Sequence, residues 1–159
     1  MQMFDINVTF DIKPIEDMLN ETFGDGGVAQ YTWSRIVFDN SVPYMPALTG
    51  NFIHRSMAVS EPLFAHGELV YPGPFAHYLW EGILYVDPET GKAAYFSENY
   101  GFWSRPGVAK VPTDMPLEYT TNLNEAAGAR WTERAAADLM PKWEAEMQEY
   151  VDRGFPNRL

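Results

Sequence analysis

The sequence predicts an α+β fold, a small, mainly antiparallel β-sheet packed on one face by two or three helices. Three observations predict it. Phe4, Ile6, Val8, Phe10 and Ile12 alternate with polar residues, the period of a half-buried strand. Near the other end, Gly128, Trp131, Ala135, Leu139, Trp143, Met147 and Val151 recur at the three-and-four spacing of one helical face. Between them, Glu68 to Tyr71 and Ile83 to Val86 read as short strands bounded by Gly- and Pro-containing turns.

The elements follow in order. Pro14 opens a helical piece to Phe23, with Ile15, Met18, Leu19 and Phe23 on one face, and the GDGG run from Gly24 to Gly27 ends it. A helix from Val28 to about Asn40 carries aromatic residues on more than one side. Val42 to Gly50 contains two prolines and reads as an extended, rigid loop. Asn51 to Val59 begins as a turn of helix and passes into a strand, and Glu68 to Tyr71 is a short strand. Pro74 starts a helix that Gly82 stops, Ile83 to Val86 forms another strand, and Asp87 to Gly91 is a turn. Residues 92–121 show no sustained period and read as a long irregular loop of the kind that a partner orders. The last helix takes Asn124 as its N-cap and Glu125 in its first turn. Pro141 removes a ladder hydrogen bond and predicts a kink there, sending the acidic stretch from Lys142 to Tyr150 toward a neighbour.

With 159 residues, the chain fits one domain with a real core. Residues 1–41 supply the N-terminal strand and helices, 42–122 the sheet and loops, and 124–153 the C-terminal helix. Aromatic residues make up 15% of the chain, more than a small domain hides easily, which predicts that some face a partner. Eleven Lys and Arg stand against 22 Asp and Glu, a net charge of -11, which repels phosphate backbones and argues against general nucleic-acid binding, so no sequence-specific nucleic-acid partner is expected. The absence of cysteine excludes disulfides, thiolate metal sites and a cysteine nucleophile. Neither a signal peptide nor a run of about eighteen apolar residues is present, so the expectation is a soluble protein, intracellular where it is made, without membrane contact.

Catalytic constellations are weak. His54, His66 and His77 match no metal-ligand spacing, and structural or surface roles fit them better. No G-x-S-x-G stretch supports a hydrolytic triad, and His54-Arg55-Ser56 is a local coincidence. Paired carboxylates with sugar-stacking aromatics leave a carbohydrate-active or other hydrolytic domain as one alternative. The GDGG run lacks a following Lys-Ser/Thr, and its G-x-G-x-x-G frame ends on Ala29; a break between helices suits it better than a phosphate loop.

Three blocks together carry a resemblance: VPYMPALTGNFIHRS from Val42, VYPGPFAHYLWEGILYVDPETGK from Val70, and GARWTERAAADLMPKW from Gly128. In order and spacing they resemble the tailed-bacteriophage family labelled minor capsid protein, within the wider group of neck and tail-completion proteins. The resemblance covers Val42 to Tyr150, about two thirds of the chain. Pro43, Pro46, Thr49 and Gly50 match the family's proline-bearing Thr-Gly loop. Tyr71, Pro74, Ala76, Tyr78, Glu81 and Gly82 match its second block, with Phe75 in place of a tyrosine. Gly128, Arg130, Trp131, Arg134 and Ala135 match its helix start. Leu48-Thr49-Gly50-Asn51-Phe52 departs from the family's T-G-A-L-R, so the basic residue expected there is absent.

The resemblance implies a non-enzymatic virion protein without cofactor, made in the host bacterial cytoplasm. It would assemble as a homo-oligomeric ring at the head-to-tail interface or the top of the tail. Its partners would be connector or stopper, tail-terminator or tail-tube proteins, with passive contact to the DNA channel; a tail-associated host-binding adaptor is the other alternative. On this reading Arg130 and Arg134 hold the last helix against the sheet through ion pairs, and Trp131 is the anchor beneath it.

Overall fold

The computed structural model describes residue 17 and residues 20–73 and 75–155. The strand expected at Phe4 to Ile12, Pro74 and most of the Pro14 helix lie outside the described residues; residues 20–23 are helical. Four helices follow: α1 (Val28–Ser41), α2 (Asn51–Ser60), α3 (Ala76–Glu81) and α4 (Trp131–Asp152). Two 3-10 segments, Val42–Tyr44 and Glu61–His66, lead out of α1 and α2. Four short strands, β1 (Ile83–Val86), β2 (Tyr95–Ser97), β3 (Gly101–Trp103) and β4 (Val111–Pro116), fill the space between α3 and α4.

The α+β class holds, and the strands form two separate antiparallel ladders, β1 with β4 and β2 with β3. The core is helical and aromatic: Tyr31, Phe38, Met45, Phe64, Ala65 and Trp131 pack together, with Phe52, Tyr71 and Trp80 against them. Helix α1 is sandwiched. Its Tyr31, Ser34 and Phe38 face the Glu61–His66 segment, where the Ser34 hydroxyl donates to the Phe64 carbonyl at 2.9 Å. Its Trp33 meets Trp143 of α4 edge-on at 6.4 Å. That explains aromatics on two sides of one helix.

Several sequence expectations are corrected. Asn51–Ser60 is helix throughout and does not pass into a strand; Gly50 enters it in the left-handed region at φ 78°, which glycine adopts without a Cβ penalty. The expected strand at Glu68 to Tyr71 does not form, because the Ser60 hydroxyl takes both backbone groups of Val70, accepting from its N–H at 2.8 Å and donating to its carbonyl at 2.9 Å. A side chain thus does the work of a neighbouring strand. Val42–Tyr44 is a 3-10 turn with Pro43 in its first positions, so the expected extended loop is confined to the residues after it.

Residues 92–121, expected as loop, contain β2, β3 and β4. Three-residue strands are too short to show a period, and Pro112 and Pro116 disguise β4. Both prolines are tolerated because each strand of a two-stranded ladder is an edge. Helix α4 begins at Trp131 rather than at Asn124. The Asn124 amide instead donates to the carbonyls of Val42 and Met45 at 2.7 and 2.9 Å, closing the 3-10 turn in place of a helix cap. From there α4 runs unbroken through Pro141. Its second half does not leave the core: Trp143 and Tyr150 are buried. Lys142 donates to the Asn40 side-chain oxygen at 2.6 Å, and the Asn40 amide donates to Glu146 at 2.9 Å.

Candidate functional site

Several of the residues singled out from the sequence, Tyr71, Glu81, Gly82, Gly128, Arg130 and Trp131, converge at the N-terminus of α4. Trp131 is fully buried and receives edge-to-face contacts from Tyr71 at 4.9 Å, Trp80 at 4.8 Å and Phe52 at 5.7 Å. Tyr71 also lies nearly parallel to Phe38 and Trp80, each at 6.3 Å. Its hydroxyl shares a 2.7 Å hydrogen bond with Thr132. Burial pushes the Tyr71 phenol up, opposed by its hydrogen bond with the Thr132 hydroxyl; the Trp131 indole N–H has no hydrogen-bond partner among the described residues. Trp131 is therefore an anchor among aromatic side chains, not beneath a sheet.

Backbone contacts lock the same corner. Gly128 N–H donates to the Tyr44 carbonyl at 3.1 Å, Arg130 N–H to the Trp80 carbonyl at 3.2 Å, and Leu117 N–H to the Gly82 carbonyl at 2.8 Å. Gly82 caps α3 at φ 71°, and a Cβ placed there would stand 2.6 Å from the Ala129 Cβ. A Cβ on Gly128 would collide with the Arg134 guanidinium. Gly82 is thus demanded by close approach and by its positive φ, whereas at Gly128 the Arg134 side chain can swing aside.

The arginines act differently from expectation. Arg130, the residue just before α4, pairs with Glu133 in the first turn of α4 at 3.2 Å and with Glu81, the last residue of α3, at 3.7 Å. Among the described residues Arg134 makes no ion pair; it lies over the Tyr44 ring at 5.6 Å and donates to the Ala126 carbonyl at 3.0 Å. Half-exposed ion pairs of the Arg130 type contribute about 0–1 kcal/mol, so packing rather than charge holds the corner.

Not all predicted residues join it. Pro46, Thr49, Phe52, Leu117 and Tyr119 line an apolar groove of about 370 Å³ beside the junction, with Leu48 exposed at its edge. Tyr78 faces the other way, 4.6 Å from Tyr85 of β1. The three histidines stay apart: His66 meets Asp25 at 2.8 Å, His77 lies against Tyr85, and His54 stands by Gly50. Among the described residues no group of three or more His, Asp or Glu could hold a metal ion. Among them, too, no helix is long and apolar enough to cross a membrane.

Sequence reasoning missed a second region, the lobe formed by β2 and β3. Phe96 and Phe102 pair across it at 5.2 Å, and Tyr95 stacks on Trp103 at 4.7 Å. Phe96, Tyr100 and Phe102 are 65%, 85% and 80% exposed. The lobe is held at its base by Asp87, whose buried carboxylate accepts from the Glu89 and Thr90 N–H groups at 2.9 and 3.2 Å and from Arg105. Arg105 also reaches Glu89 at 2.7 Å. These bonds hold the Asp87 carboxyl well below its ordinary range, the Arg105 contact first among them. A signal existed: Arg105 is the one arginine between Arg55 and Arg130, set among Gly and Pro, where a planar fork is a ready loop clamp.

No family model, no curated protein and no solved structure matches this chain.

Proposed function

We propose that this chain is a structural, non-catalytic component of the neck or upper tail of a tailed bacteriophage, joining head to tail or completing the tail as part of a ring. One observation supports the reading above the rest. The three blocks that resemble the minor capsid family are distant in sequence, yet Tyr44, Tyr71, Glu81, Gly82, Gly128, Arg130 and Trp131 meet at a single corner. A motif spent on packing is what a shared scaffold requires, whereas a shared enzymatic site would gather groups around a cleft. Glu81 and Glu133 are both turned onto Arg130 instead of facing each other across a space for a glycosidic bond. Burial raises the Tyr71 and Tyr119 phenols, which keeps them neutral. The acid-rich composition also suits a channel component, because a negative lining lets DNA pass without adhering.

The test is assembly. Size-exclusion chromatography with light scattering and negative-stain images of the purified chain, alone and with neck and tail proteins, should give a ring. Mass spectrometry of purified particles should find the chain in them. A strictly monomeric chain absent from particles overturns the proposal.

A further inference from the structure

Residues 83–116, which hold all four strands, stand apart from the helical body. The chain enters at Ile83 and leaves at Pro116, two residues that face each other at the foot of the β1–β4 ladder. Just below them the Leu117 N–H donates to the Gly82 carbonyl at 2.8 Å and closes a narrow neck. Among the described residues no hydrogen bond or ion pair joins residues 84–115 to the body. Their polar contacts are internal: Asp87 and Glu89 with Arg105, Thr90 with Tyr95, Lys110 with Ala93, and Thr113 with Leu84. The aromatic core takes no side chain from these residues, and Asp87 alone among them is buried. What touches the body is a ring cluster, with Tyr85 of β1 lying 4.6 Å from Tyr78 and 5.9 Å from His77 of α3.

Two adjacent chain crossings and one apolar contact make a hinge. Hinges absorb rotation in a few residues at the ends of elements, here the links from Gly82 to Ile83 and from Pro116 to Leu117. Gly82 is fixed against Ala129 and Leu117 against Gly82, so the pivot lies just beyond them. Rotation there breaks no hydrogen bond to the body; it only slides the Tyr85 ring over its neighbours. The Asp87 and Arg105 clamp braces the strands from within, so that they move together. A unit with few buried apolar contacts and no polar ties to the core belongs to the low-stability end of a fold.

The rotation has a place to stop. Between the strands and the body opens a cleft of about 360 Å³, with Phe75 and Tyr78 on the body's wall and Phe102, Trp103, Val108 and Lys110 on the other. Phe75 and Phe102 are 69% and 80% exposed. Apolar surface on two facing walls is driven together by its release from water. We propose that residues 83–116 form a hinged flap that closes on α3, bringing Phe102 and Trp103 against Phe75 and shutting the cleft. The cover for this apolar wall is the opposite wall of the same chain. Open and closed flaps present different surfaces, so anything that binds one of them shifts the balance between them. Closure requires no ring and no second chain.

The chain has no cysteine, so spin labels can be placed at will for distance measurement by pulsed electron paramagnetic resonance. One pair, Tyr100→Cys with Glu144→Cys, spans the flap and α4; a second, Val59→Cys with Glu144→Cys, lies wholly within the body. All three positions are exposed, so the labelled chains should melt as the parent does. The body pair should give one narrow distance. The flap pair should give a second distance besides the one in this structure, and Phe75→Asp should lower the population of that second distance by at least about tenfold, because closure buries its carboxylate. Phe102→Asp reaches the same result from the other wall and serves if Phe75→Asp fails to fold. A flap pair with a single distance that both Asp variants leave unchanged overturns the flap, and so do two distances whose proportions neither variant alters. Hydrogen exchange of the parent chain gives an independent check: amides of residues 84–115 should open together and faster than those of α1 and α4, and exchange at the rate of those helices overturns the hinge.

Discussion

Arg105 closes on Asp87 through two hydrogen bonds, Nε to Oδ2 at 2.5 Å and Nη2 to Oδ1 at 2.6 Å, and so ties the strand β3 to β4 connection back onto the turn that follows β1. The geometry is the planar bidentate match that arginine makes and lysine does not. It has a pH signature. A carboxyl whose folded pKa lies below its ordinary value of about 3.8 contributes stability that is complete above that value. The contribution is lost as pH falls through the folded value. Arg105 stays protonated throughout and adds no titration of its own. Arg105→Met should therefore lower the melting temperature at pH 7, where it strands a buried carboxylate. The gap between variant and parent should narrow as pH drops below about 4. Melting curves recorded from pH 7 to pH 2 check this, and a gap that stays constant would show that the clamp does not depend on the charge of Asp87.

Trp131 carries the largest packing prediction. It is fully buried and touches three other aromatic rings, so Trp131→Ala should cost about 3 to 5 kcal/mol in chemical denaturation. Trp131→Phe keeps most ring contacts and has no indole N–H to leave unpaired, so it should cost clearly less. Equal losses for the two variants would mean that the corner depends on the indole itself.

Gly82 and Gly101 separate two reasons for glycine. Both have positive φ, 71° and 69°. At Gly82 an added Cβ meets Ala129 at 2.6 Å and the Tyr119 hydroxyl at 3.3 Å, whereas at Gly101 it meets nothing within 4 Å. Gly101→Ala should cost only the backbone term, about 1–2 kcal/mol. Gly82→Ala should add overpacking and cost about 2–4 kcal/mol. Comparable losses at the two sites would show that the α3 to α4 corner yields to the extra methyl.

How much of this was legible depended on whether a signal was local. Helix α1, the Gly82 stop, the Ile83 to Val86 strand and the turn after it were readable because caps, breakers and periods act within a few residues. The face of α4 was readable for Trp131, Ala135 and Trp143, all buried, but not for Val151, which is exposed. Its start was misread because Asn124 looks like a cap in sequence and serves as one for a different segment, at Val42 and Met45. The Ser60 bonds to Val70 and the Arg105 bonds to Asp87 are likewise long-range choices with no periodic trace. The candidate corner was legible as residue types and spacing, but its character as packing emerged only when Tyr71, Trp80 and Trp131 came together. The aromatic lobe was hidden because β2 and β3 are three residues each.

Pro141 gives the last prediction. A proline inside a helix removes one ladder bond and crowds the preceding turn, at about 3 kcal/mol relative to alanine in a helix interior. The helix here continues through it to Asp152, and the docked side chains just beyond, Lys142 on Asn40 and Trp143 against Trp33, bind the second half to α1. Pro141 itself is exposed, so replacing it removes no buried contact. Pro141→Ala restores a donor to the Ala137 carbonyl and should raise stability by about 1–3 kcal/mol, measured by denaturant titration. The gain should survive in Asn40→Ala, since it comes from the ladder and not from the Lys142 and Glu146 contacts. A loss of stability in Pro141→Ala would instead mean that the proline sets the path by which Trp143 and Tyr150 reach α1, making it a positioning residue for the whole second half of the helix.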